Sequence, residues 1–233
     1  MFRDGKGCIV DEGFLGMLRR ILASKWTKPP VFLLCLTPAG FLLWRAFTGG
    51  LGANPLEELT HKTGDWTIYF LLITLSITPL RKLLKQPNLI RFRRMLGLFA
   101  FFYVCLHFLT YIVFDHFFDV SAMLKDVAQR PFITAGFTGF VLLIPLAITS
   151  TTGWIRRLGG KRWQMLHRLI YITASAGVIH YYWLVKSDVT MPVRLGAILV
   201  FLFICRLAFW LQARQTKPAR SPAQKQREAA PAT

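Results

Sequence analysis

Acidic residues are scarce in this chain of 233 residues: 11 Asp and Glu stand against 29 Lys and Arg, a formal charge of +18. Cysteine is scarcer still. Cys8, Cys35, Cys105 and Cys205 lie far apart, with no Cys-x-x-Cys pair to hold an iron–sulfur cluster and no Cys-x-x-Cys-His site for covalent heme. Each reads as a small apolar packing residue. There is no Gly-x-Gly-x-x-Gly loop and no soluble stretch large enough to build a nicotinamide-binding module, so the chain is not expected to oxidise NAD(P)H itself. The first thirty residues lack the short apolar core and small-residue cleavage site of a cleaved signal peptide, and the first apolar segment is expected to stay in the mature protein. No internal repeat is evident. No zinc finger or aromatic-basic RNA motif accompanies the positive charge, which removes nucleic acid as a partner.

What the sequence has in abundance is apolar length. Hydrophobic residues make up 54%, mean hydropathy is +0.42 and there are 20 phenylalanines. A soluble fold of this size could not hide them in one core, so a purely soluble enzyme is excluded and an all-α integral membrane protein is expected. Six blocks stand out: Val31 to Phe47, Trp66 to Leu80, Leu96 to Phe114, Phe132 to Thr149, Leu169 to Val185, and Val193 to Trp210. The second is short against the roughly 20 residues that span a bilayer, and needs Thr63 to Asp65 or local thinning to complete its crossing. Pro38, Pro79 and Pro145 fall within or at the ends of spans, where they bend a helix without abolishing it.

The charges have a side. Of the 29 Lys and Arg, 22 lie in the arm before Val31, in Arg81 to Arg94, in Arg156 to Arg168 and in the tail after Trp210. Seven of the 11 acids, Glu57, Glu58, Asp65, Asp115, Asp119, Asp126 and Asp188, occupy the opposite loops. Topology therefore accounts for most of the net charge, and the positive-inside rule puts both termini in the cytoplasm. The expected organisation is a cytoplasmic arm (1–30), a six-span transmembrane domain (31–211) and a disordered basic cytoplasmic tail (212–233) without a periodic apolar face.

Five histidines carry the candidate chemistry. His107 and His180 are embedded in the third and fifth spans, where a polar ring is costly unless it faces the bundle and finds a partner. Both spans run in the same direction, and each histidine lies 11 residues beyond the start of its block. They should stand at one depth on parallel helices. Two facing imidazoles would supply both axial ligands of a b-type heme; helix–helix hydrogen bonds, another ligand or a proton path are the other uses of such a pair. His167 is 13 residues before His180, about 19.5 Å along one helix, room for two stacked redox centres, but a net rotation of about 220° puts the two rings on different faces. The position 13 before His107 is Arg94, so a symmetric second bis-histidine heme is not encoded. His167 could ligate a second heme with another residue, shape a flavin or quinone site, or lie at the bilayer edge as an ordinary histidine. His61 and His116 belong to outer loops and are expected in surface or loop-packing roles. The segments RKLLKQPNLIRFRR and RRLGGKRW, with Arg93 and Arg94, suit anionic membrane lipid or the phosphate of a cytoplasmic electron donor.

Taken together, TGDWTIYFLLITLSITPLR, RRMLGLFAFFYVCLHFLTY, LAITSTTGWIRRLGGKRWQMLHRLIY and HYYW from His180 make the chain resemble the MsrQ family. These are heme-binding membrane subunits of the periplasmic methionine sulfoxide reductase system, within the ferric-reductase-like transmembrane proteins. The resemblance covers about Gly52 to Trp210. It implies a six-helix ferric-reductase-like bundle in the bacterial inner membrane, with His107 and His180 as axial ligands of heme b and His167 as an additional heme-related or electron-entry histidine. It further implies FMN, whose residues no motif specifies. Electrons would come from membrane quinol or a cytoplasmic flavin reductase and pass to a periplasmic molybdopterin-dependent methionine sulfoxide reductase, the subunit that reduces the sulfoxide and repairs oxidised periplasmic proteins. Unlike the wider ferric reductases, this chain has no fused flavin and NAD domain. A ferric or quinone reductase of related fold, and a transporter or structural subunit without heme, are the alternatives.

Overall fold

The computed structural model describes residues 9–215, and the helices follow the apolar blocks. α1 (Ile9–Ala23) precedes α2 (Lys28–Phe47), α3 (Pro55–Leu83), α4 (Ile90–Thr110), α5 (Val120–Gln129), α6 (Pro131–Ile148), α7 (Thr152–Leu166), α8 (Leu169–Leu184) and α9 (Thr190–Gln215). No strand occurs among the described residues. Four helical stretches, Lys25–Phe47, Pro87–Asp115, Pro131–Ile148 and Thr190–Gln215, are long and apolar enough to cross a bilayer. α3 has 29 residues but carries charge at both ends, and α8 has only 16. The short second block is completed from upstream: the helix runs unbroken from Pro55, with Asn54 accepting a hydrogen bond from the Glu57 amide as N-cap. Acids fill its first turn and Arg81 and Lys82 its last, each matching the helix dipole. At the other end of the chain, α9 continues past Gln212 to Gln215; the rest of the expected disordered tail lies outside the described residues, as does the start of the N-terminal arm.

Hydrogen bonds establish that the long helices alternate in direction. Thr60, early in α3, meets His107, late in α4, and Phe132, early in α6, meets His180, late in α8. At the opposite end Thr149, which follows α6, meets His167 just before α8, while Leu75 and Tyr171 both meet Arg206 of α9. α3 packs most extensively on α4 and α6 on α8, so the bundle is two antiparallel pairs facing each other across a gap.

The surface is apolar, and the largely apolar interior also holds polar side chains. Leu33, Leu34 and Phe41 of α2 and Val200, Phe201 and Ile204 of α9 are exposed, whereas Thr63, Thr67, Thr74 and Thr173 are buried. This is the arrangement expected of a bundle bathed in lipid. Between α2, α3 and α4 an aromatic stack makes the driest part of the core: Phe70 lies on Tyr103 with ring centroids 5.2 Å apart and on Phe99 at 5.7 Å.

At two of the helix prolines the freed carbonyl finds another donor. Pro38 cannot donate to the Leu34 carbonyl, and the Thr37 hydroxyl donates to it at 2.7 Å. One residue on, the buried Tyr103 hydroxyl accepts from the Ala39 amide at 3.1 Å and donates to the Cys35 carbonyl at 2.9 Å, bridging both ends of one rung of α2. Pro79 likewise frees the Leu75 carbonyl, which takes a 2.6 Å hydrogen bond from Arg206. Arg206, a charge inside the sixth apolar block, thereby acquires a role; its other arm donates to the Tyr171 hydroxyl at 2.6 Å.

Candidate heme site

The gap between the two helix pairs is a cavity of about 1310 Å³. Its deep walls are apolar, from Leu71, Val104, Phe108, Phe140 and Leu143, and its mouth is charged, from Lys62, Asp65, Asp126 and Arg130. His107 and His180 face each other across it, with ring centroids 6.1 Å apart and ring planes at 73°. The equal depth counted from the sequence is what the fold delivers.

Each ring is held in the same way. The Nδ1 of His107 lies 2.9 Å from the Thr60 carbonyl, and the Nδ1 of His180 lies 2.6 Å from the Phe132 carbonyl. A carbonyl only accepts, so both Nδ1 atoms carry the proton, and in the neutral ring both Nε2 atoms keep a lone pair for a ligand. A hydrogen bond from the far nitrogen to a backbone carbonyl is the usual support of a metal-binding histidine, fixing tautomer and orientation. One helical turn beyond each carbonyl stands a glycine. A Cβ on Gly64 would lie 3.2 Å from Nδ1 and Cε1 of His107, and one on Gly136 would lie 2.8 Å from Nδ1 of His180.

His167 is elsewhere. The sequence suggested that it shares a helix with His180; the structure puts it in the two-residue turn at 167–168, between α7 and α8. The 13-residue rise and rotation along one straight helix therefore do not apply. Its ring stacks on Trp163 at 3.9 Å, and its Nε2 lies 3.1 Å from the Thr149 hydroxyl. That hydroxyl already donates to the Pro145 carbonyl at 2.6 Å, so Nε2 is the donor to it and is engaged. Burial, with Arg93 nearby, holds His167 down at about 4, and the imidazole is neutral at neutral pH.

Both outer-loop histidines, His61 and His116, line the cavity; His116 is also packed with its ring against Tyr111 at 4.5 Å and its Nε2 3.4 Å from Asp126. Asp126 also takes hydrogen bonds from the Tyr111 hydroxyl at 3.1 Å and from Arg130 at 2.7 Å, tying α5 to the cavity rim. Tyr111 opens a π-helical turn, Tyr111–Asp115, that ends the third block.

Comparison with known proteins agrees with this architecture. Residues 63–178 match the family model for the ferric reductase like transmembrane component. The protein-methionine-sulfoxide reductase heme-binding subunit MsrQ of Herminiimonas arsenicoxydans is 57% identical over 192 residues, 82% of this chain and 88% of the relative. The MsrQ of Caulobacter vibrioides is 49% identical over 192 residues, 82% and 90% of the two chains, and that of Rhodospirillum rubrum 48% identical over 191 residues, 82% and 92%. The chain belongs to the MsrQ family. It is a multi-pass membrane protein.

Within this chain the sequence pointed to the two imidazoles and passed over what holds them. Thr60 and Phe132 act through main-chain carbonyls, which leave no mark on residue type, and Gly64 and Gly136 look like any small residue of a transmembrane helix. Spacing was the signal available: a glycine four residues beyond the carbonyl, once in THKTG and once in FITAG.

Proposed function

We propose that this chain is the transmembrane cytochrome b of a methionine sulfoxide reductase system, with His107 and His180 as axial ligands of one heme b. One observation carries this: two imidazoles, each tied through Nδ1 to a backbone carbonyl, face each other in a large cavity with 6.1 Å between ring centroids. An imidazole nitrogen binds a first-row metal at about 2 Å, so two rings flanking one ion should have centres about 6 Å apart. No cluster of three or more His, Cys, Asp or Glu able to hold a metal ion occurs among the described residues. A heme macrocycle would supply the remaining ligands through its own nitrogens. The residues present fit heme: the apolar walls suit its ring, and Lys62 and Arg130, which also line the cavity, would be cations for its propionates.

Bound heme supplies one-electron redox chemistry in an insulating bundle. The residues of the chain do the rest. His107 and His180 orient the iron, the apolar walls exclude water, and the helices hold the centre partway across the membrane. The charge distribution supports six crossings of the inner membrane with both termini in the cytoplasm, α8 and the charged-ended α3 completing the six. The heme pair then lies toward the periplasm and His167, with its stacked Trp163, toward the cytoplasm, where we assign it to electron entry. Membrane quinol or a cytoplasmic flavin reductase with FMN is the donor, and the acceptor is a periplasmic molybdopterin-dependent methionine sulfoxide reductase that repairs oxidised proteins. The relatives' names, each a heme-binding subunit of protein-methionine-sulfoxide reductase, support that acceptor.

His107→Ala and His180→Ala test the assignment. Each should abolish the principal low-spin heme signal of purified protein, while His61→Ala retains it. Wild-type heme content and spectrum in both variants would overturn it.

A further inference from the structure

The two imidazoles are not merely supported; they are supported by the same device used twice. α3 offers the Thr60 carbonyl and, four residues on, the bare backbone of Gly64 to His107; α6 offers the Phe132 carbonyl and Gly136 to His180. The carbonyl fixes where Nδ1 points. The glycine lets the helix backbone approach the ring so closely that a Cβ would meet it, which fixes the plane. A ring free to turn about its last side-chain bond has a broad range of orientations; here both are set, and the planes cross at 73°.

We infer that Gly64 and Gly136, each with its carbonyl partner, are positioning residues that hold the axial imidazole planes crossed and so set the electronic state of the iron; this rests on the heme assignment above. Crossed imidazoles leave the iron's two π-donor orbitals nearly equal in energy. A low-spin ferric ion in that field gives a strongly anisotropic paramagnetic resonance signal with a single large g value. Parallel planes separate the orbitals and give a three-line rhombic signal at lower maximal g. The Nδ1–carbonyl hydrogen bond also raises imidazole basicity, which favours the ferric state and lowers the potential.

The two cradles are not equally tight. At Gly64 the added methyl would sit 3.2 Å from the ring of His107, a contact that a small tilt relieves. At Gly136 it would sit 2.8 Å from Nδ1 of His180, the atom that donates to Phe132. That ring must turn or give up its hydrogen bond. Gly97, on α4 with His107, is a control: its added methyl would meet only Thr74 Cγ2, at 3.7 Å.

The experiment is paramagnetic resonance and redox titration of the heme in purified wild-type protein, Gly64→Ala, Gly136→Ala and Gly97→Ala, with heme per chain measured in each. Wild type and Gly97→Ala should show the large-g signal. Gly64→Ala should keep its heme and move the maximal g downward, and Gly136→Ala should move it further and raise the potential, or lose heme. A rhombic wild-type signal contradicts the inference, as does an unaltered signal and potential in Gly64→Ala together with either the same result or simple heme loss in Gly136→Ala. Both leave the heme assignment standing. Wild-type protein without heme overturns the assignment itself.

Discussion

Tyr103 shows how much one side chain does in a bundle without water. Its ring is fully buried in the stack with Phe70 and Phe99, and its hydroxyl satisfies both an amide and a carbonyl of α2 beside the Pro38 bend. Tyr103→Phe keeps the stack and removes only the oxygen. Because a buried amide and carbonyl are left without that bridge, the variant should lose about 1–3 kcal/mol of stability, read as a lower unfolding midpoint by circular dichroism of the detergent-solubilised protein. Wild-type stability in this variant would mean that the Ala39–Cys35 rung closes by itself. His167 makes a contrasting point: a histidine at the edge of a span donates through Nε2 to the Thr149 hydroxyl rather than through Nδ1 to a backbone carbonyl.

Among the elements, α3 and α9 are coupled through a missing amide. Pro79 leaves the Leu75 carbonyl without its helical donor and Arg206 supplies one from another helix. Arg206→Met should therefore destabilise the wild type more than it destabilises Pro79→Ala, in which the helix recovers its own rung. The Tyr171 contact is lost in both backgrounds and cancels, so the cycle isolates a coupling of roughly 0.5–3 kcal/mol; zero coupling would contradict the arrangement. Which elements were legible in the sequence follows from the same physics. Helices over the six apolar blocks could be read because long apolar runs are visible without knowledge of packing, and four of the resulting stretches are long and apolar enough to cross a bilayer. The amphipathic α5, the α7 helix bent at Gly159 (φ 73°) and the π-helical turn at Tyr111–Asp115 could not, because short polar helices depend on packing rather than on run length. The site divides likewise. Counting residues put His107 and His180 at one depth, whereas the carbonyls and glycines that orient them became visible only once α3 and α6 were laid against α4 and α8.

As a whole, the molecule is two antiparallel helix pairs with lipid-facing apolar surfaces and a polar-mouthed cavity between them. Such a surface suits a membrane, where apolar side chains face lipid. The electron-transfer role stands or falls on whether that cavity holds heme. The measurement that asks this most directly is the optical spectrum of detergent-purified protein, oxidised and dithionite-reduced, with pyridine-hemochrome quantification on the same sample. A low-spin b-type spectrum at one or more hemes per chain is the predicted result. Protein purified without heme, after expression with ample heme supply, would contradict the account.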